Sequence, residues 1–378
     1  MDVRGFDFDL PPELIAQEPA AQRGAARLLH LDRPTGGITH TTIDSLPQVL
    51  RDGDVIVGNN TRVFPARLLG RRVPSGGAVE CLLIGRARAG QTAGEGQEGQ
   101  EGQEGQGGRE GREGQEEQDW HALMHPGQKL RPGARVVFEG LRTLHVLHGE
   151  VLERRFHGRR VIRLWSADGG PIEDAIEAIG HVPLPPYIKR EDRPEDRERY
   201  QTVFARERGS VAAPTAGLHF NQALNASLAA RGIDIVEITL HVGYGTFQPV
   251  RVERVEDHRL EPEPYEISEP AARAINRALD EGRRIISVGT TTTRALETVA
   301  AAHGGRMAAG AGATDLFIFP GFQFLVVQGL LTNFHLPRSS LLMLVSAFGG
   351  SAQVLAAYAA AIAGRYRFYS YGDAMLVT

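Results

Sequence analysis

Residues 270–290, PAARAINRALDEGRRIISVGT, read as a helix over 270–282 feeding a strand from 284, and that alternation decides the fold. It recurs upstream, where QALNASLAARG (222–232) has the make-up of a helix and IDIVEITLHV (233–242) that of a strand. PIEDAIEAIG (171–180) carries helical spacing, with Gly180 at the stop. SLLMLVSAFGG (340–350) and QVLAAYAAAIAG (353–364) close the chain as helices. Strands alternating with helices indicate an α/β domain built on a sheet.

Between these flanks the pattern changes. RLLGRR (67–72), AVECLLI (78–84), DWHALMH (119–125), ARVVFEG (134–140), LHVLHGEVL (144–152) and RVIRLW (160–165) read as short strands, and PGQKLRPG (126–133) as a turn-rich link. Short strands at close spacing predict a small barrel or sandwich. The expected organisation is an α/β main domain made of residues 1–62 and 156–378, with a β domain inserted over 63–155. Residues 90–118 are Gly-rich and charged, with Gly at every third position from Gly96 to Gly114. The run has no proline, so it is not collagen, and it is too polar to offset its chain entropy by burial. It reads as a flexible loop extension.

The chain has 378 residues, enough for two domains, and its 42% hydrophobic and 23% charged fractions are those of a globular protein. No stretch approaches the length needed to span a bilayer, and the N-terminus lacks the apolar run of a signal peptide. A lone cysteine, Cys81, excludes an intrachain disulfide and points to a reducing compartment; its apolar surroundings suit a core thiol. Residues 91–119 hold nine acids against two bases, a net −7; taking that from the total of −4 leaves +3 on the rest. A slightly basic folded part is compatible with an RNA partner.

Six polar clusters fall where strands end, the place at which open α/β sheets bind ligands. GNNTRVFPARL (58–68) is either an Asx turn or a site using Asn59, Asn60 and Thr61. SVAAPTAGLHF (210–220) offers Thr215, His219 and Phe220 among small residues such as Gly217. ITLHVGYGTFQPV (238–250) ends a strand at His241, and Gly243 and Gly245 make only a lone G-x-G. VGTTTTRALE (288–297) runs from a strand through Gly289 into a helix, where Thr290, Thr291 and Thr292 could bind an anion or sugar hydroxyls, or simply cap the helix. Arg294 and Glu297, three apart, could pair. LLTNFHLPRSS (330–340) carries Asn333, His335 and Arg338, and RFYSYGDAML (367–376) an aromatic group that reads as core. There is no phosphate-loop, zinc-helix, nucleophile-elbow or methyltransferase Gly-rich motif.

Taken in order, FDFDLPPELIAQEP, DGDVIVGNNTRVFPARL, GHVPLPPYIKR, YQTVFARERGSVAAPTAGLHF, TLHVGYGTFQPVRVERVEDH, SVGTTTTRALE, FIFPGFQFLVVQGLLTNFHLPRSSLLMLVSAFGG and YRFYSYGDAMLV resemble the S-adenosylmethionine:tRNA ribosyltransferase-isomerase family of queuosine biosynthesis. They cover nearly the whole chain outside the 90–118 run, which is unlike the family. The resemblance implies an α/β main domain with a mixed sheet and an inserted small β-barrel. It implies a cytoplasmic, monomeric enzyme with no metal, no permanently bound cofactor and no membrane partner. Its partners would be S-adenosylmethionine as co-substrate and tRNA carrying 7-aminomethyl-7-deazaguanine at the wobble position. The ribosyl part of S-adenosylmethionine would be transferred and isomerised onto the aminomethyl group, giving epoxyqueuosine-tRNA, adenine and methionine.

That chemistry needs an ammonium deprotonated, a carbon beside the sulfonium deprotonated, adenine released and ribose hydroxyls oriented. His219, His241 and His335 are expected to converge on the site, with Asp257 and His258 as further acid–base candidates. Asn59, Asn60, Thr61 and Arg62, Thr215 and Gly217, Gly243, Gly245 and Thr246, Gly289 to Thr292, Arg294, Glu297 and Asn333 are expected to hold the co-substrate, and Phe220, Tyr244 or Phe247 to contact its purine or sulfonium. Arg206, Arg208, Arg251, Arg254 and Arg338 are candidates for phosphate contact. A conventional RNA methyltransferase and a non-catalytic RNA-binding protein are the competing readings.

Overall fold

The computed structural model describes residues 1–87, 116–140, 143–155, 158–247 and 250–378, without the side chains of Thr246 and Phe247. The chain forms two compact units, one of Met1–Val63 with Leu184–Thr378 and one of Phe64–Pro183.

The first unit is built on a nine-stranded mixed sheet. From one edge the strands are β15 (Gly310–Thr314), β13 (Glu263–Ile267), β12 (Asp234–Leu240), β3 (Val55–Asn59), β14 (Ile285–Val288), β16 (Val327–Asn333), β17 (Ala374–Val377), β1 (Arg27–Leu31) and β2 (Ile38–Thr42). The central four, β12, β3, β14 and β16, run parallel. Both faces are covered, which is why the inner strands β3 (VIVGN) and β14 (IISV) are buried at every position rather than at alternate ones. Val55, Val57 and Ile285 pack on one face with Ala271, Ile275 and Ala278 of α5 (Glu269–Asp280) and Ala295, Leu296 and Val299 of α6 (Thr290–Ala302). On the other face Ile56, Ile286 and Val288 meet Leu224 and Leu228 of α4 (Gln222–Ala229) and Leu46 of the one-turn α1 (Leu46–Val49). A second one-turn helix, α3, spans Asp196–Arg199. The apolar α7 (Ser340–Gly349) and α8 (Ser351–Ala363) supply Met343, Val345, Val354 and Tyr358 to the first core. No single described helix is long and apolar enough to cross a membrane; α7 and α8 pass only as a pair, bent by 114°.

Two expectations change here. The chain closes on the strand β17 rather than on α8. Within 367–376 only the part from Ala374 is a strand, because Tyr369 adopts a left-handed backbone (φ 73°) that no strand allows. A small parallel pair, β4 (Thr61–Val63) with β11 (Glu207–Ser210), flanks the end of β3.

The second unit is a closed antiparallel barrel. Its order is β10 (Arg159–Ser166), β7 (Glu117–His125), β6 (Ala78–Arg86), β5 (Arg67–Val73), β8 (Arg135–Glu139) and β9 (Val146–Arg154), with β9 pairing back to β10. Alternate residues of β7, Gln118, Trp120, Ala122 and Met124, are buried, as a half-exposed barrel strand requires. Cys81 is fully buried on β6, and burial pushes its thiol far above its ordinary range. The unit ends at Pro183, not at 155, because β10 is the strand that closes the barrel and α2 (Ile172–Ile179) packs on β9 and β10. At the end of α2, Gly180 turns to extended backbone, and glycine is required there because a β-carbon would lie 2.1 Å from the Pro65 carbonyl oxygen. Residues 90–115 of the 90–118 run lie outside the described residues; its last two positions, Glu117 and Gln118, open β7.

Candidate active site

The parallel strands β14 and β16 deliver their carboxyl ends side by side. Leu331 accepts the Gly289 amide at 2.8 Å, fastening the start of α6 to β16. Here a cleft of about 490 Å3, part of it open to solvent, is lined by Pro214, Thr215, Val242, Gly289, Thr290, Thr291, Thr332, Asn333, His335, Leu341, Tyr369 and Ser370. It sits where parallel α/β sheets bind ligands.

The threonine run divides its work. Thr292 back-bonds to the Val288 carbonyl at 2.8 Å, and Thr293 bonds the Gly289 carbonyl at 3.1 Å and the Ser287 hydroxyl at 2.7 Å. These two hold the helix start. The hydroxyls of Thr290 and Thr291 have no partner among the described residues, and both residues line the cleft beside the positive end of α6. The sharp turn from strand to helix falls on Gly289 (φ 89°, ψ 155°), a conformation almost confined to glycine.

Asn333 faces α6 across the cleft and is 2% exposed. Its Nδ2 donates to the Tyr369 carbonyl at 3.0 Å, which fixes the orientation of the amide, and lies 3.3 Å from His219 Nε2. The buried Oδ1 has no partner. An unsatisfied buried acceptor costs roughly 1–3 kcal/mol, so this oxygen is an open position for a ligand N–H or O–H. Tyr369 is held in its strained backbone by its N–H, which donates to the Phe334 carbonyl at 2.9 Å, and by its carbonyl, which accepts from Asn333 and from the Gly372 amide at 2.8 Å. Its ring stands edge-on to Tyr187, whose hydroxyl bonds Ser370.

Two histidines belong to this region. His335 Nε2 is 2.8 Å from the Thr332 hydroxyl, and its amide donates to the Tyr358 hydroxyl. Burial alone pulls its pKa down to about 3. Burial likewise lowers His219 to about 4, against a weaker upward pull from Asp373. Both rings are neutral at pH 7. His241 is elsewhere: its Nδ1 is 2.8 Å from Thr61 Oγ1 and its ring packs on the Gly209 backbone, while its neighbour Val242 reaches the cleft. The three histidines therefore do not share one site; alternation along the chain at the end of β12 sends His241 away.

Several other expected ligand residues hold the protein together. Asn59 accepts from the Thr61 and Leu240 amides at 3.0 and 3.1 Å and donates to the Leu240 carbonyl at 2.9 Å; Asn60 accepts from Thr239 at 2.7 Å. Thr61 also bonds Ser210. Arg62 is exposed on β4, opposite Arg208 of β11. Phe220 is fully buried 5.2 Å from Phe204 and is core, not a stacking face. Gly217 admits Thr202, whose methyl would lie 2.9 Å from a β-carbon. The Gly243 amide donates to Glu263, and Gly245 sits beside Glu261. Thr246 and Phe247 fall in the one-turn helix Tyr244–Phe247, their side chains outside the described residues.

Arg294 and Glu297 do not pair. Arg294 forms a buried ion pair with Glu263 and donates to the Leu316 and Thr314 carbonyls. Glu297 accepts three backbone amides, from Leu325, Val326 and Val327, at 2.8–3.1 Å. Each finds a buried partner that an exposed i,i+3 contact cannot match. Asp257 is exposed and His258 packs edge-on to Phe317; neither lines the cleft. Arg206, Arg254 and Arg338 are paired with Glu237, Glu256 and Asp7, and Arg251 is exposed. Tyr369, Ser370, Thr332, Val242 and Leu341 line the cleft without having been singled out as ligands; the Ser-Tyr-Gly turn at 370–372 was the available signal.

A family profile described as queuosine biosynthesis protein matches residues 3–377. The chain belongs to the queuosine biosynthesis family. It is 45% identical to the S-adenosylmethionine:tRNA ribosyltransferase-isomerase of Heliobacterium modesticaldum and 47% identical to that of Symbiobacterium thermophilum, over the full length of each pair. The crystal structure of S-adenosylmethionine tRNA ribosyltransferase from Thermotoga maritima is 33% identical, matches 99% of this chain and 100% of its own, and superposes with a TM-score of 0.52. Family membership makes the chain an enzyme of the ribosyltransferase-isomerase kind, acting in queuosine biosynthesis. The mixed sheet with its separate closed barrel accords with that family.

Proposed function

We propose that this enzyme transfers and isomerises the ribosyl part of S-adenosylmethionine onto 7-aminomethyl-7-deazaguanine at the tRNA wobble position, giving epoxyqueuosine-tRNA and releasing adenine and methionine. The full-length identity of 45% or more to enzymes named for that transfer carries the reading. The cleft supports it in chemical terms. Free Thr290 and Thr291 hydroxyls and the amides that open α6 suit ribose hydroxyls or the methionine carboxylate, and Asn333 Oδ1 suits a hydroxyl or amino donor of the same molecule.

The buried histidines, whose protonated forms burial disfavours, serve as neutral hydrogen-bond partners that orient the substrate. Neutral at pH 7, they lack the acidic imidazolium proton that would protonate the departing adenine. A separate donor, from tRNA, solvent or another side chain, serves that step. The test is the fate of label. With S-adenosylmethionine carrying isotope in the ribose or in the methyl group, ribose label should enter tRNA and methyl label should leave in free methionine. Methyl label in the nucleoside would replace this reading with methyl transfer.

A further inference from the structure

A second cavity, of about 360 Å3 and partly open to solvent, adjoins the cleft in the same unit and is lined by Arg23, Gly24, Arg199, His219, Ser370 and Tyr371 among others. Ser370 lines both cavities, and the His219–Asn333 contact joins their walls.

Arg23 and Arg199 are half-buried, and neither has a carboxylate partner among the described residues. Arg23 donates to the Glu198 carbonyl at 2.7 Å and Arg199 to the carbonyls of Ala20 and Ala21. Of the neighbouring acids, Asp44 (beside Gly24) and Glu198 are exposed and their carboxylates pair with neither arginine, and the two buried ones are engaged elsewhere. Asp196 accepts from Arg190, the Arg193 amide and Tyr371, and Asp373 is bound by Arg27. The Arg23 pKa is lowered, by burial first and then by the charge of Arg199, with Tyr371 and the exposed Glu198 pulling weakly the other way. His219 adds a donor: its Nε2 faces the Asn333 N–H, which leaves the proton of the neutral ring on Nδ1. Two guanidinium groups thus line one cavity with no carboxylate bound to either.

We infer that this cavity is an oxyanion site of the enzyme, taking a substrate phosphate or carboxylate through Arg23 and Arg199. Its chemistry suits a phosphodiester of the tRNA or the carboxylate of the sulfonium co-substrate, and naming those sources rests on the proposed function. The affinity for an oxyanion does not.

Thermal melts of the full chain in inorganic phosphate, against chloride at equal ionic strength, test the site itself. Wild type should be stabilised by phosphate, and Arg23→Gln should lose that shift while melting normally in chloride, since the Arg23 side chain makes one hydrogen bond among the described residues, to a backbone carbonyl, and the Asn221 bond to the Arg23 carbonyl survives the substitution. An equal shift in both would overturn the inference, whatever reaction the enzyme performs. Steady-state kinetics then identify the source. A KM for tRNA raised roughly tenfold, with the slope of log affinity against log salt reduced by about one, indicates a phosphodiester. A rise confined to the KM for S-adenosylmethionine indicates its carboxylate. No change in either KM in a folded Arg23→Gln enzyme would remove the site from substrate binding. Arg23→Lys should recover part of whichever effect is seen.

Discussion

Asn333 carries more of the site than any other side chain. One end of its amide holds the strained Tyr369 carbonyl, and the other is a buried acceptor awaiting a donor. The adjoining threonines make the same distinction testable. Thr291→Val removes a hydroxyl with no partner among the described residues, so stability should stay within about 0.5 kcal/mol while the KM for S-adenosylmethionine rises several-fold. Thr292→Val removes the bond to Val288 and should cost roughly 1 kcal/mol with little change in KM. Urea melts and steady-state kinetics check the pair, and the opposite pattern would refute the division of the run.

Buried His219 and His335 also set a pH dependence. Their pKa values, about 4 and about 3, lie below the ordinary 6.5, so the unfolded chain binds their protons better than the folded one. Stability from them is full above about pH 6.5 and falls as the pH drops toward 4. At pH 5 the loss is roughly 2 kcal/mol per ring. Between pH 7 and 5, His335→Gln should therefore lose roughly 2 kcal/mol less than wild type in denaturant titrations. Equal losses would show that His335 is not a buried neutral ring. The residue types of the site were legible in sequence: Thr215, Thr290, Thr291, Asn333 and His335 all stand in the cleft. Which of two neighbours faces a ligand was not. Thr291 and Thr292, or His241 and Val242, differ only in direction, and that is set by packing.

At the scale of elements, the strand-to-helix junctions position the chemistry. Gly289 turns β14 into α6 with a backbone that a β-carbon strains, although space for one exists: the nearest atom, Ala216 Cβ, would be 3.7 Å away. Gly289→Ala should cost about 1–3 kcal/mol through backbone strain alone and reduce kcat/KM by displacing the Thr290 and Thr291 amides. A variant as stable and active as wild type would contradict that account of the junction. Helices 222–232, 270–282, 340–350 and 353–364 were readable because apolar spacing and end signals agree. The turn at 367–373 was not, because the left-handed Tyr369 is fixed by contacts with Phe334 and Asn333, more than thirty residues earlier.

For the whole molecule, sequence pattern separated an α/β unit from a β-rich one but misplaced their second boundary. Strand β10 looks like its neighbours in composition; only barrel closure assigns it. The Gly-rich run joins β6 to β7, which pair directly from Glu80–His125 to Arg86–Trp120. Replacing residues 88–115 by a short turn should preserve that hairpin, leaving melting temperature and turnover unchanged; a large loss of either would give the run a role. The central claim concerns what leaves the enzyme. Incubating the full chain with S-adenosylmethionine and tRNA bearing 7-aminomethyl-7-deazaguanine, and following products by mass spectrometry, should show adenine and methionine in equal amounts with an epoxyqueuosine nucleoside. S-adenosylhomocysteine with a methylated nucleoside would contradict it.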